Sequence, residues 1–249
     1  MRCSASRNSV GAMSSAAVTT EQRDGVLICH IDDGKANALS KEIIAAMLDV
    51  LDAAEHDASV SAVVLHGRPG RFSAGFDLSV MRGDDVGAIA DLVCDGGTLV
   101  RHMYGSKIPI VAACTGHALA AGALVLLGCD LRIGADVDCK IGLNEVAIAM
   151  VLPDWAFTIA VDRLSKRHLQ RAVATARLTD AAGAVDVGYL DEVVAADEVL
   201  EVAVARAAEF AALDQRAYAG TIRRLRGEVL DLMTAQIDAD REAGQVPNV

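Results

Sequence analysis

A chain of 249 residues, 53% of them apolar, is long enough for one large buried core, and an aromatic content of only 3% leaves Ala, Val, Leu and Ile to fill it. The formal charge of -11, from 23 basic and 34 acidic residues, excludes a general affinity for nucleic acid or an anionic membrane surface. The six cysteines form no CxxC pair and sit mostly in apolar stretches, so they read as buried free thiols in a reducing compartment, with no structural zinc.

Residues 1–18 are rich in Ser and Ala, carry Arg2 and Arg7 but no acid, and lack the apolar run of a signal peptide. They are expected to be a disordered leader, or an early start with Met13 as the true first residue, ahead of an α/β core over residues 19–195. Val26–Ile31 reads as a strand, followed by the loop Asp32-Asp33-Gly34-Lys35-Ala36-Asn37. Ser40 is placed to cap a helix running to about residue 56, with Ile43, Ile44, Met47, Leu48 and Leu51 on its apolar face. The stretch 60–65 is apolar throughout, as a buried parallel strand would be.

A turn-rich segment, Gly67-Arg68-Pro69-Gly70-Arg71, leads into Phe72-Ser73-Ala74-Gly75-Phe76-Asp77-Leu78. A helix is predicted over 88–104, with Gly96-Gly97 as a weak point, then a buried strand over 108–114, a short buried helix over 121–127 and a strand over Leu131–Ala135. The uncharged run 108–129 has the length of a membrane span, but Pro109, Thr115, Gly116 and His117 interrupt it. Helical patterns then dominate, over 155–164, 168–175, Ala181–Val187, 199–213 and 215–242. Strands and helices alternate first and helices follow, which predicts an α/β core and a helical C-terminal region over 196–249.

Two turns of small residues adjoin buried elements: Ser73-Ala74-Gly75-Phe76-Asp77, and Thr115 through Gly122 just before a helix. Such turns leave backbone N–H groups open to a ligand, and a helix N-terminus adds a dipole that favours negative charge. Two N–H groups facing one oxygen would make an oxyanion hole, although small-residue turns more often serve tight packing. In the third notable segment, Glu145 is the only charged residue between Lys140 and Asp154. A carboxylate in such apolar surroundings is paired, exposed at a turn or functional. Burial would raise its pKa and suit it to carry protons near neutrality.

The ordered landmarks are Lys35-Ala36-Asn37-Ala38-Leu39, Phe72 through Leu78, Gly116 through Gly122, Gly128-Cys129-Asp130, Ile141-Gly142-Leu143-Asn144-Glu145, Leu178-Thr179-Asp180-Ala181, and Gly188 through Val194. Together they resemble the crotonase (enoyl-CoA hydratase/isomerase) superfamily, most nearly its mitochondrial-type Δ3,Δ2-enoyl-CoA isomerases. The resemblance implies an α/β fold built as a spiral of ββα units, with a helical C-terminal region that assembles a homotrimer or a dimer of trimers. It implies an enzyme acting on an acyl-CoA thioester with no cofactor or metal; low Lys with high Ala, Val and Asp favours a cytoplasmic location, and the acidic charge leaves no nucleic-acid or membrane partner expected.

By the same resemblance the backbone N–H groups of Ala74 and Ala121 form the oxyanion hole, and Glu145 is the acid/base. Lys35, Ala36, Asn37, Ser73, Phe76, Asp77 and Leu78 would hold the coenzyme A portion, and Gly122, Leu124 and Trp155 would line the rest of the substrate site. Arg68 and Arg71 could reach phosphates or remain solvated. The family's hydratases use two glutamates to position a water. The second matches Glu145, and the first falls at Leu124, which cannot hold water. His117 reads as a structural histidine, Asp77 and Asp130 as loop braces, and Arg223, Arg224 and Arg226 as a solvated face.

Overall fold

The computed structural model describes residues 16–246, so the expected leader lies outside the described residues as far as position 15. The chain enters a strand sooner than its composition suggests. β1 (Val18–Arg23) pairs antiparallel with β2 (Val26–Ile31) through Asp24 and Gly25, both at positive φ. That Asp-Gly step is the signal for a two-residue hairpin whose turn matches the strand twist.

The remaining elements follow as β3 (Ala38–Leu39), α1 (Lys41–His56), β4 (Ala62–Gly67), β5 (Gly70–Ser73), β6 (Gly75–Phe76), α2 (Leu78–Met81), α3 (Val86–Tyr104), β7 (Ile110–Cys114), β8 (Gly116–Leu119) and α4 (Ala121–Gly128). After them come β9 (Leu131–Ala135), β10 (Ile141–Gly142), a 3-10 turn (Glu145–Ile148), α5 (Asp154–Arg163), α6 (Leu169–Val173), α7 (Ala181–Val187), β11 (Glu192–Val194), α8 (Val199–Ala211) and α9 (Gln215–Ala243).

The main sheet has the order β1-β2-β4-β7-β9-β11, and every pairing but the first is parallel. The second strand of each unit leaves it. β5, β8 and β10 form a small parallel sheet, and β3 pairs with β6. The chain therefore repeats one step: a strand in the main sheet, a short strand above it, then a helix. This is the predicted spiral of ββα units.

Both faces of the main sheet are buried, which explains the unbroken apolar run in β4. Val63 and Leu65 face the core shared with α1, α3 and α4, whereas Ala62 and Val64 face α8. α8 presents Val199, Ala203 and Ala207, spaced four apart, to that second face. α9 lies along α3 and α5. The C-terminal helices are thus packed into the core. Among the described residues no helix is long and apolar enough to cross a membrane. The five described cysteines are free and buried.

Two sequence expectations change here. Gly96-Gly97 does not weaken α3, which runs through it. An added Cβ at Gly96 would lie 2.4 Å from the Phe76 ring, and one at Gly97 would lie 2.9 Å from the Trp155 indole, so these glycines are contact surfaces. Arg226 does not lie on a solvated face. It is buried, donates to Asp130 at 2.9 Å and to the Tyr104 carbonyl at 2.9 Å, and pins α9 to the α4–β9 turn. Asp130 also accepts from the Ile110 amide, as a loop brace should. Removing one partner of a buried ion pair leaves the other charge uncompensated. Arg226→Ala should therefore lose about 3 kcal/mol of stability, read as a lower urea midpoint, whereas exposed Arg224→Ala should change it little.

Candidate active site

The loop between β2 and β3 is built around Asn37, which is fully buried at φ 51. Its Nδ2 donates to the Ile31 carbonyl at 2.7 Å and lies 3.2 and 3.3 Å from the Arg71 and Phe72 carbonyls. Its Oδ1 accepts from the Asp33 amide at 3.0 Å. The Ser73 hydroxyl donates to the Asn37 carbonyl at 2.8 Å. Asn37 and Ser73, expected to contact substrate, are therefore turned inward as braces that join β2 to β5. Asp77 caps α2 by accepting from the Ser79 amide at 2.8 Å. Lys35, Arg71 and Leu78 are exposed. Arg68 is held by the Lys35 carbonyl and Asp32.

The first oxyanion donor must be reassigned. The N–H of Ala74 donates to the Ala36 carbonyl at 3.1 Å, so it is already spent. Gly75 follows at φ 92, and the Asp77 N–H donates back to the Leu39 carbonyl of β3 at 3.1 Å. Alternation along β6 then turns the Phe76 N–H to the opposite edge, the side on which α4 packs. Phe76 entered the sequence reading as part of the Ser73–Leu78 substrate segment, and its amide was not considered there. The signal for it is Gly75, whose positive φ resets which residues face β3.

Ala121 lies where it was expected, as the first residue of α4. Its N–H has no acceptor within the helix. An added Cβ on Gly75 would lie 3.4 Å from that nitrogen, so the two amide-bearing turns adjoin. Ala121 tolerates its Cβ because the strained angle belongs to Ala120, at φ 49 and ψ -125. Such a conformation costs roughly 1–3 kcal/mol and persists only when its surroundings fix it. Here the Ala120 amide is tied to the Gly142 carbonyl at 3.0 Å. Gly122 packs on Ser73, with space for no Cβ, and Leu124 is buried one turn along.

The bond from Ala120 to Gly142 also brings Glu145 to this place. β10 runs parallel to β8 on one side and is bonded to Thr179 in both directions on the other, at 2.8 and 3.0 Å. Glu145 opens the 3-10 turn that follows, is 8% exposed, and its Oε2 has no hydrogen-bond partner. Burial lifts its carboxyl from 4.5 to about 7, offset in part by its own amide and that of Asn144. His117 accepts from the Lys140 amide at 3.0 Å and is a brace, as expected. Trp155 is fully buried against α3. The Ala120–Gly142 bond thus joins the segment that leads to Glu145 to the start of α4, where Ala121 adjoins the Gly75 turn and Gly122 packs on Ser73, while Lys35 and Leu78 are exposed.

Residues 21–245 match the enoyl-CoA hydratase/isomerase family. The chain belongs to that family. The mouse mitochondrial enoyl-CoA delta isomerase 1 is 32% identical over 225 residues, which span 90% of this chain and 78% of that protein. A probable enoyl-CoA hydratase of Bacillus subtilis is 32% identical over 217 residues, spanning 80% of this chain and 77% of that protein. Among solved structures, an enoyl-CoA hydratase/isomerase family protein from Pseudomonas syringae superposes with TM-score 0.87 at 39% identity, covering 91% of this chain and 97% of that one. The human mitochondrial delta3-delta2-enoyl-CoA isomerase superposes with TM-score 0.87 at 31% identity, covering 92% of this chain and 90% of that one.

The buried acid leaves a mark on stability. Near pH 4 folded and unfolded chains both hold the Glu145 proton, and the residue costs nothing. Between 4.5 and about 7 the unfolded chain releases its proton before the folded chain does, so stability falls as pH rises through that window. At about 1.4 kcal/mol per unit the loss is about 3 kcal/mol. Glu145→Gln should match the wild type in urea unfolding at pH 4 and exceed it by about 3 kcal/mol at pH 8.

Proposed function

We propose that this protein is a Δ3,Δ2-enoyl-CoA isomerase in which Glu145 carries one proton between two carbons of the substrate. The observation that supports this most is the pairing of a single buried carboxyl, poised near neutrality, with Leu124 as its counterpart. Hydration needs a second group to hold the attacking water, and the apolar α4 supplies none.

In this reading the thioester oxygen of a 3-enoyl-CoA accepts from the Phe76 and Ala121 amides at the N-terminus of α4. Ionised Glu145 removes a proton from C2. The electron pair moves into a dienolate whose negative charge lies on the thioester oxygen, where the two N–H groups and the helix dipole stabilise it. Glu145 then returns the proton at C4, and the double bond ends between C2 and C3. Donor and acceptor are the same carboxyl, so the step is balanced without any other reactant. Phe76 and Trp155 both rest on α3, and the part-exposed Phe76 ring would form an apolar wall beside the reacting carbons. Lys35 and Arg71 are exposed and would meet the phosphates of coenzyme A.

The deciding assay compares 3-enoyl-CoA and 2-enoyl-CoA substrates. Wild-type enzyme should isomerise the former faster than it hydrates the latter, and Glu145→Gln should lower isomerisation about 1,000-fold. Faster hydration than isomerisation would favour the activity named for the Bacillus subtilis relative. Because Glu145 must begin as a carboxylate, kcat/KM should rise with pH and level off above about 7, falling about tenfold per unit below it.

A further inference from the structure

The stretch from Arg163 to Thr179 holds Arg163, Lys166, Arg167, His168, Arg171 and Arg177 and no acid, in a chain whose formal charge is -11. Arg163 is turned inward and donates to the Cys129 carbonyl at 2.9 Å. Lys166 and Arg167 are exposed. The other three, with Thr179 and Asp186, line a cleft of about 200 Å³ between α6 and α7. Only Thr179 touches the scaffold of the active site, through its bonds to Ile141.

The backbone is arranged to bring the two guanidiniums to this cleft. The Arg177 amide donates to the Arg171 carbonyl at 3.1 Å, which folds the chain back so that both side chains line the same space. The Thr175 hydroxyl donates to that carbonyl at 2.8 Å. The reversal holds Ala176 at φ 49, a left-handed angle that a residue with a Cβ adopts at a cost. Thr179 is a fixed wall, bonded to Ile141 in both directions at 2.8 and 3.0 Å. Among the described residues neither Arg171 nor Arg177 has an ion-pair partner, whereas Arg23, Arg206 and Arg241 each have one. Asp186 is the one acid that lines the cleft. Asp180, next in sequence to Thr179, is occupied in capping α7, where it accepts from the Gly183 amide at 2.8 Å.

Two guanidiniums against one carboxylate leave an excess of positive charge, and the imidazole and the hydroxyl add polar groups. A guanidinium presents paired N–H donors that match the oxygens of a phosphate or a carboxylate. A phosphate group has enough oxygens and charge to engage both guanidiniums at once. We propose that this cleft is a binding site for a phosphate group, held between Arg171 and Arg177 with His168 and Thr179 beside it, and separate from the acyl-CoA site. Coenzyme A carries phosphates of its own, so the test must distinguish the cleft from the exposed Arg71.

The test follows the His168 ring signals by proton–carbon NMR while inorganic phosphate is added at constant pH and ionic strength, with chloride as the balancing salt. His168→Gln assigns the signals. Saturable movement with a Kd of about 1 mM is expected. Arg171→Gln and Arg177→Gln should each weaken binding about tenfold. Asp186→Asn should tighten it about threefold by removing the one acid, and a folding defect cannot produce that gain. Arg71→Gln should leave the titration unchanged. No saturable movement up to about 20 mM phosphate overturns the proposal, as does an undiminished titration in both cleft arginine variants. Loss of binding in Arg71→Gln overturns the separation from the acyl-CoA site. Malonate binding as tightly as phosphate overturns the choice of ligand. The readout needs no turnover, so it stands whether or not the protein isomerises 3-enoyl-CoA.

Discussion

A parallel sheet that is apolar on both faces must be covered on both, and the rest of this molecule follows from that requirement. β4 and β7 expose no edge to water and no polar face, so the chain cannot run directly from one to the next. Each return passes above the sheet, and the short strands β5, β8 and β10 form along those returns. The third layer exists because the first two are closed. Its backbone carries the amides and the carboxyl of the site, so the chemistry sits on the connecting layer while the main sheet provides rigidity. On the second face, helices α1, α3 and α4 are unavailable, and the chain returns from its C-terminal third to lay α8 there.

The site is assembled from features that individually destabilise the fold. Ala120 and Asn37 hold positive φ without being glycine, and Glu145 buries a carboxylate oxygen without a partner. Each is held by a neighbour that does satisfy its bonds. Asn37 is fixed by its amide contacts and by Asp33, Ala120 by Gly142, and β10 by Thr179. The strain at Ala120 lies at the start of α4, beside the Ala121 amide. Stability lost there is recovered in the core and in ion pairs such as Arg132 with Asp191, which joins β9 to the start of β11.

The long elements were legible in the sequence because periodicity and caps act locally. Ser40 starts α1, Asp180 starts α7, and the apolar runs of β2, β4 and β7 read directly as buried strands. Glu145 was legible as an isolated charge in an apolar stretch. What stayed hidden was decided by partners distant in sequence. β3, β6 and β10 have two residues each, too few for any period, and exist only because another strand lies beside them. Composition cannot show that Asn37 and Ser73 point inward, since both would serve equally well as surface groups. The choice between the Ala74 and Phe76 amides depends on a carbonyl at Ala36, far away in the chain. Arg226 looks solvated on its own helix and becomes buried only when α9 meets Asp130.

The paired glycines of α3 have a consequence for how this protein can be altered. Replacing a mid-helix glycine by alanine ordinarily strengthens a helix by about 1 kcal/mol, and a routine search for stabilising changes would select Gly96 and Gly97 first. At these two positions the missing methyl groups are the seats of Phe76 and Trp155. Either replacement would improve the helix locally and displace a ring packed against it. The weak helical residues are therefore a spacing gauge, and the seats of two large rings are set by atoms the sequence leaves out.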